Sequence, residues 1–135
     1  MSDSYVWYQA LIKPSWAPPS WLFGPVWSIL YTIIAITFAI AFYRIIQAKI
    51  PAIIALPFVL NLISNALFTP LQFGLRSNLL ASIDIAVVLG TLIWSLLWIY
   101  PYLPLVSLVN IPYLAWVSFA TVLQFTITYL NRSLS

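Results

Sequence analysis

Three long stretches without a charged residue constrain this chain more than any other feature of its sequence. They cover residues 14–43, 50–75 and 85–131, which are 30, 26 and 47 residues long. An α-helix needs ~20 mostly apolar residues to cross ~30 Å of hydrocarbon. The whole chain is 64% apolar and 5% charged, whereas soluble domains are about 45–50% apolar and roughly 25% charged. Because so few charges cannot cover a soluble globule, we expect an integral membrane protein.

The apolar stretches predict an all-α fold in which one transmembrane domain occupies the whole chain. We expect a bundle of four transmembrane helices. The predicted spans cover residues 24–44, 51–73, 78–100 and 104–131, and a loop rich in Pro and Trp covers residues 13–23. Prolines inside the spans, such as Pro112, predict kinks. Segments of ten residues with alternating polarity, which would indicate a membrane barrel, are not found.

The composition excludes several kinds of chemistry. The chain contains neither Cys nor His, so a zinc–sulfur site, a thiolate nucleophile and the usual general base are excluded. We therefore predict no catalytic residue and no metal site, and an enzymatic activity would have to be photochemical. Five basic and two acidic residues give a net charge of +3, which is too sparse for a nucleic-acid surface.

Polar and aromatic residues recur at helical spacing inside the predicted spans. In chain order these stripes comprise Trp27, Tyr31, Phe38 and Phe42; Asn61, Asn65 and Gln72; Asp84, Thr91, Ser95 and Trp98; and Trp116 with Ala120. If the stripes face inward, they wall a cavity suited to a large, flat, mostly apolar ligand that takes a few hydrogen bonds. The alternative is that the polar groups only join neighbouring helices and that the aromatic stripes are packing.

Asp84 is the only acidic residue within a predicted span. It lies about six residues, or ~9 Å, inside the third span. An intramembrane carboxylate often marks a functional site, and Asp84 therefore supports a second hypothesis, a small proton-coupled exporter. The alternative is that its side chain reaches the interface or pairs with a base near Arg76.

The loop over residues 13–23 is stiffened by three prolines. Four of its residues are candidates for the mouth of the cavity, namely Trp16, Pro18, Pro19 and Trp21. The two tryptophans can pack over such a mouth. The alternative is that they anchor the loop at the membrane interface.

Three blocks of sequence resemble one known family. They are KPSWAPPSWLFGPVWSILY at 13–31, NALFTPLQFGL at 65–75 and PYLAWVSFATVL at 112–123. The first is similar to the signature of the tryptophan-rich sensory proteins, also called the translocator protein or peripheral benzodiazepine receptor family. The second resembles the third helix of that family and the third resembles its last helix.

The resemblance implies a helical membrane receptor or carrier that binds porphyrins and, in some members, sterols and synthetic aromatic ligands. It also implies a homodimer, and we expect a prokaryotic cell membrane as its location. The implied ligand-binding residues are Trp27, Tyr31, Asn65, Gln72, Asp84, Trp116 and Ala120. Among these, Trp27 and Trp116 match two tryptophans implicated in light-driven porphyrin breakdown by some bacterial members. We expect protoporphyrin or haem to bind as a ligand through stacking and hydrogen bonds, with no firm cofactor.

The sequence departs from the family pattern at several places. The family has five spans, the predicted span over 24–44 matches the second of them, and the first has no counterpart here. Phe68 stands where Trp is common, and Gln72 stands where Phe is common. One wall of the cavity should therefore be more polar than is usual in the family.

Overall fold

The chain folds into a bundle of α-helices, as the sequence predicts. A computed structural model describes residues 11–18, 20–69, 71 and 77–131. Its helices are α1 (Phe23–Ile46), α2 (Ala55–Thr69), α3 (Asn78–Ile99), α4 (Pro104–Val109) and α5 (Ile111–Leu130). Short 3₁₀ turns at Ser20–Leu22 and Ala52–Ile54 precede α1 and α2. The all-α fold class is confirmed for this part of the chain.

Three of these helices are long and apolar enough to cross a membrane. The qualifying segments are Gly24–Ile46, Asn78–Ile99 and Ile111–Leu130, with mean hydropathies of 2.1, 2.1 and 1.3. The 22 residues of α3 rise ~33 Å at ~1.5 Å per residue, which matches the hydrocarbon thickness. A shorter apolar helix covers Ala52–Phe68, and residues 70 and 72–73 of the predicted second span lie outside the described residues.

The helix α3 lies at the centre of the bundle. It packs against α2 on one side and α5 on the other, whereas α1 contacts α2 and α4. Neighbouring helices are antiparallel, so the upper end of the bundle is defined here as the end at which α1 and α3 begin and α2 and α5 end. Many large apolar side chains remain exposed on the outer faces, including Ile29, Leu79, Leu97 and Leu105. Lipid chains, rather than water, are the solvent that suits such a surface.

The range 104–131, which we predicted as a single span, contains the two helices α4 and α5. Pro112 explains the break, because it has no N–H and its ring clashes with the carbonyl of the residue four positions earlier. The interruption falls at Asn110, whose N–H bonds back to the Ser107 carbonyl at 3.2 Å. The Asn110 side chain donates to the Val106 carbonyl at 2.7 Å and to Thr37 Oγ1 on α1 at 2.9 Å. The break therefore also ties α5 to α1.

The segment that precedes α1 is fastened to the upper end of α5. The Asn131 side chain accepts a hydrogen bond from the Ile12 N–H at 3.0 Å and donates to the Ile12 carbonyl at 2.7 Å. Beside this pair, Leu11 is buried with Leu123 and Ile127. One amide side chain thus replaces two backbone partners and holds residues that are 119 positions apart.

Candidate functional site

A chain of hydrogen bonds, buried except at Tyr31, connects the four longer helices in the middle of the bundle. The Tyr31 hydroxyl on α1 donates to Asn65 Oδ1 on α2 at 3.3 Å. Asn65 Nδ2 donates to the Tyr113 hydroxyl on α5 at 2.7 Å, and that hydroxyl donates to Asn61 Oδ1 at 3.0 Å. Asn61 Nδ2 then reaches Thr91 Oγ1 on α3 at 3.2 Å. These five residues are called the polar network below.

The two asparagines of the polar network differ in their hydrogen-bond partners and in how much of their hydrogen-bonding capacity is used. Asn61 is fully buried and uses its amide nitrogen on α3, bonding the Val88 carbonyl as well as Thr91. Asn65 uses one amide hydrogen and one oxygen lone pair within the network, whereas a primary amide offers two of each. Asn61 is thus a joint between helices, and Asn65 keeps the capacity to donate to and accept from a ligand.

A cleft between α1 and α2 leads to Asn65 from the outer surface. It has a volume of about 290 Å³ and is lined by Tyr31 and Ile34 on α1 and by Leu62, Asn65 and Ala66 on α2. The Tyr31 side chain is 49% exposed, whereas Asn65 is buried. The name α1–α2 cleft is kept for this opening. It offers two polar groups, a phenol and an amide, on walls that are otherwise apolar.

Four residues, one on each longer helix, lie about two turns above Ile34, Asn61, Thr91 and Tyr113, and they are called the upper layer. The upper layer consists of Trp27, Phe68, Asp84 and Ala120. Each is seven positions along its helix from a residue of the network or the cleft, and seven residues rise ~10.5 Å. Asp84 is buried, and the other three are partly buried and pack against the hydrophobic core. The upper layer thus combines two large rings with one carboxyl group.

The predicted cavity tryptophans are both half-buried and face the core. Trp27 packs at 5.3 Å between ring centroids from Tyr31, with the rings tilted by 34°. Trp116 lies one turn above Tyr113 and packs at 5.6 Å from Phe119. Both indoles also contact the main hydrophobic cluster of the bundle. Each therefore places an aromatic surface close to the polar network, on α1 and α5 respectively.

Asp84 lies inside the bundle rather than at its surface. Its side chain is 7% exposed, and its Oδ2 atom has no hydrogen-bond partner among the described residues. Of the residues with which the sequence aligned it, Thr91 and Ser95 are buried, whereas Trp98 is 38% exposed. A carboxyl group so enclosed in an apolar bundle is costly to ionise without a partner.

The loop before α1 is divided between the bundle and the exterior. Trp16 packs edge-on against Phe119 of α5, with 5.8 Å between ring centroids. Trp21 is 70% exposed, and Pro18 is partly buried. Trp16 thus extends the row of rings formed by Trp116 and Phe119, while Trp21 points outward. The remaining loop candidate, Pro19, lies outside the described residues, as does the predicted ligand residue Gln72.

Tyr113, whose hydroxyl is the centre of the polar network, is not among the site residues that the sequence predicts. Tyr113 is fully buried and bonds both asparagines of α2. One signal was available, because a phenol inside a span must find a partner where no water is present. The spacing of the asparagines predicts that they share one face of α2. Which helix packs against that face depends on the tertiary structure, and a single sequence does not reveal it.

Comparisons with known proteins agree on one family. A sequence model described as the TspO/MBR family matches residues 1–130. The tryptophan-rich protein TspO of Archaeoglobus fulgidus is 36% identical over 129 residues, covering 93% of this chain and 80% of the relative. The human translocator protein is 32% identical, covering 90% and 72%. The tryptophan-rich sensory protein of Cereibacter sphaeroides is 29% identical, covering 93% and 77%.

Proposed function

Because the chain belongs to the TspO/MBR family and so has a sensory or transport role in a membrane, we propose that it is a porphyrin receptor or carrier. Its ligand is a tetrapyrrole or a similarly flat, largely apolar molecule, and its location is a prokaryotic cell membrane. The site comprises the polar network, the α1–α2 cleft and the upper layer. Asn65 and Tyr31 supply hydrogen bonds, and Trp27 and Trp116 supply aromatic surfaces.

The observation that carries this proposal is the unused hydrogen-bonding capacity of Asn65. Its amide is held by Tyr31 on one side and by Tyr113 on the other, yet one donor and one acceptor position remain. A polar group retained inside a membrane bundle faces protein, a cavity or a ligand. Since Asn65 lines the α1–α2 cleft, it is placed to bond the polar edge of a bound ring system.

The rings around Asn65 suit a planar ligand. Trp27 and Tyr31 already form a tilted aromatic pair on α1, and Trp116 faces the core from α5. Offset stacking of aromatic rings contributes ~0.5–1.5 kcal/mol per pair beyond the burial of apolar area. Two such contacts with a macrocycle contribute more than a single hydrogen bond does. The indoles are therefore expected to determine affinity, and Asn65 to determine orientation.

A titration with protoporphyrin tests the proposal. The purified protein in lipid nanodiscs is titrated with protoporphyrin IX, and binding is followed by the shift of the porphyrin absorption band. We expect saturable binding to the unaltered protein. The double variant Trp27→Ala plus Trp116→Ala should bind at least tenfold more weakly, because both stacking surfaces are removed.

The matched control uses two tryptophans at the lower end of α3. Trp94 and Trp98 form an edge-to-face pair 5.2 Å apart, three and seven positions beyond Thr91 toward the lower end of α3. Trp94→Ala plus Trp98→Ala should leave the affinity within about twofold. Equal weakening by the two double variants, or an unchanged affinity when Trp27 and Trp116 are replaced, would contradict the proposed site.

Asp84 supports a second candidate function, proton-coupled export of a small apolar molecule. The supporting observation is the burial of its carboxyl group and the lack of a partner for Oδ2 among the described residues. Such a carrier predicts uptake into liposomes that depends on a pH gradient and that is abolished in Asp84→Asn. Uptake that persists in Asp84→Asn would remove this candidate and leave porphyrin binding untouched.

A further inference from the structure

The turn that follows α1 brings two basic residues together at the lower end of the bundle. The Lys49 N–H bonds the Arg44 carbonyl at 3.0 Å, and the Ala48 N–H bonds the Ile45 carbonyl at 2.9 Å. Two such bonds around a left-handed residue form a Schellman motif, whose first and last residues frequently make a hydrophobic contact. Here those two positions are Arg44 and Lys49. Residues 44–49 are called the lower turn below.

The backbone of the lower turn is held in an unfavourable conformation. Ala48 has a φ of 60°, which is the left-handed region that glycine adopts easily and other residues avoid, because a Cβ atom crowds the neighbouring carbonyl. Within the described part of the chain, it is the one residue other than glycine with a positive φ. Strained backbone of this kind often marks a functional position.

The end of α1 does not need the two basic side chains as caps. Its last carbonyls are bonded by backbone N–H groups, including the Tyr43 carbonyl, which the Gln47 N–H bonds at 3.0 Å. The helix dipole favours a cation in the last turn of a helix, and this accounts for Arg44. It does not account for Lys49, which lies beyond the end of α1 at Ile46. Another interaction must therefore favour the second charge.

The described part of the chain offers no nearby carboxylate to balance these charges. Its one acidic residue is Asp84. Asp84 is buried in the upper half of α3, and the 15 residues from there to Ile99 at the lower end rise ~22 Å. Arg44 and Lys49 are both exposed. An anion that bridges them therefore comes from outside these helices.

The length of α1 places the lower turn at the level of the lipid headgroups. Gly24–Ile46 contains 23 residues, which rise ~34 Å, and the hydrocarbon is ~30 Å thick. Tyr43 and Tyr100 are exposed at the same end of the bundle, as is typical of the aromatic residues at a membrane interface. The anions that are concentrated at this level are lipid phosphates.

From these observations we propose that Arg44 and Lys49 together bind the phosphate of an anionic phospholipid. A guanidinium pairs with two phosphate oxygens at once, and an ammonium adds a compact charge beside it. A phosphate between the two cations replaces their repulsion by attraction. The lipid class is one whose headgroup carries no amine to balance the phosphate charge. This inference does not depend on the porphyrin function.

Native mass spectrometry of the detergent-solubilised protein tests the proposal. Its affinity is measured for phosphatidylglycerol and for phosphatidylcholine with the same acyl chains. We expect the unaltered protein to bind phosphatidylglycerol at least fivefold more tightly. Arg44→Gln plus Lys49→Gln should abolish this preference. The matched control Lys13→Gln plus Arg132→Gln removes the same amount of charge outside the lower turn, and it should keep the preference within about twofold.

Two substitutions of Ala48 separate the geometry of the lower turn from its charge. Ala48→Gly permits the left-handed conformation without strain, so the preference should stay within about twofold. Ala48→Pro fixes φ near about −65° and removes the N–H that bonds Ile45. The preference should then fall at least threefold, although both cations remain. Circular dichroism checks that the helical content of each variant is unchanged.

Three results would overturn the proposal. Equal affinity of the unaltered protein for the two lipids would remove the site. Equal loss of the preference in the two double variants would show that net charge, rather than the lower turn, attracts the lipid. Displacement of phosphatidylglycerol by inorganic phosphate at constant ionic strength would identify the ligand as a soluble phosphate compound.

Discussion

Tyr113 shows how one buried hydroxyl can fix the relative positions of two helices. It accepts a hydrogen bond from Asn65 and donates one to Asn61, so both amides of α2 are oriented from α5. Asn61 in turn bonds α3 through Thr91. A phenol both donates and accepts, and neither phenylalanine nor leucine can replace it here. The orientation of Asn65 toward the α1–α2 cleft therefore depends on a residue outside the cleft.

We predict that Tyr113→Phe destabilises the protein by about 1–2 kcal/mol, because Asn61 Oδ1 and Asn65 Nδ2 lose their partner in an apolar interior. Thermal unfolding in detergent measures the effect. Tyr43→Phe is the control, since Tyr43 is 60% exposed on α1. Equal stability of the Tyr113 and Tyr43 variants would show that the polar network contributes nothing measurable.

The second consequence at this scale concerns the side chain of Asn65 itself. Asn65→Leu conserves the approximate volume and removes both hydrogen-bonding groups. We predict that porphyrin binding weakens by about fivefold or more, because one charge-free hydrogen bond contributes ~1 kcal/mol. Absorption titration against the unaltered protein measures the change. An affinity equal to that of the unaltered protein would show that Asn65 does not touch the ligand.

At the scale of elements, the break between α4 and α5 fastens α1 to the rest of the bundle. Asn110 donates both to the Val106 carbonyl within α4 and to Thr37 on α1. Pro112 favours the break because it removes a helical hydrogen bond, and Asn110 supplies hydrogen bonds that the broken helix lacks. The attachment of α1 at Thr37 thus arises next to Pro112, which from sequence alone predicts only a kink.

A double-mutant cycle of Thr37→Val and Asn110→Ala tests this link. Because the two side chains bond directly at 2.9 Å, we predict a coupling energy of ~0.5–1.5 kcal/mol in unfolding experiments. Thr32→Val is the matched control on α1, because the Thr32 hydroxyl bonds the Ser28 carbonyl within its own helix. If the coupling energy between Thr32 and Asn110 equals that between Thr37 and Asn110, the Asn110–Thr37 hydrogen bond does not attach α1 at this position.

The N-terminal segment gives a second prediction for an element. Asn131→Ala removes both hydrogen bonds that hold Ile12. We predict faster hydrogen–deuterium exchange of the amides of Ile12 and Ala17, while the amides of α3 keep their protection. Mass spectrometry of peptic fragments measures the exchange. Unchanged exchange at Ile12 would show that the buried Leu11 holds the segment without help.

At the scale of the whole molecule, the exposed apolar faces and the buried polar network have two different roles in the fold. Outer faces rich in Ile and Leu dissolve the bundle in lipid, while hydrogen bonds between helices fix its interior. Gly90 of α3 is exposed, and a side chain added there would meet nothing within 4 Å. Within the chain, that surface is open to lipid or to a second subunit.

The homodimer remains a proposal, and Gly90 offers a way to locate its interface. If α3 faces lipid at this point, Gly90→Ala should raise stability by ~0.5–1 kcal/mol through its better helix propensity. Size-exclusion chromatography with light scattering should then show an unchanged oligomeric state for Gly90→Leu. Dissociation of a dimer by Gly90→Leu would instead place the subunit interface on this face of α3.

The sequence predicted the helices better than their mutual arrangement. Uncharged stretches located the apolar segments, because charge is excluded from hydrocarbon regardless of tertiary structure. The sequence predicts a kink at Pro112 but not the break at Asn110, because a proline inside a span is compatible with either a kink or an interruption. The asparagine stripe was found from its spacing, whereas Tyr113 was not, because its partners lie about 50 residues away.

The most direct test of this account is the structure of the protein with protoporphyrin IX bound, determined in lipid nanodiscs by electron microscopy with a rigid binding partner. We predict a macrocycle beside the α1–α2 cleft, with a polar edge within hydrogen-bond distance of Asn65 and a face against Trp27 or Trp116. A macrocycle bound instead on the outer surface near Trp94 and Trp98, with the polar network unchanged, would contradict the account.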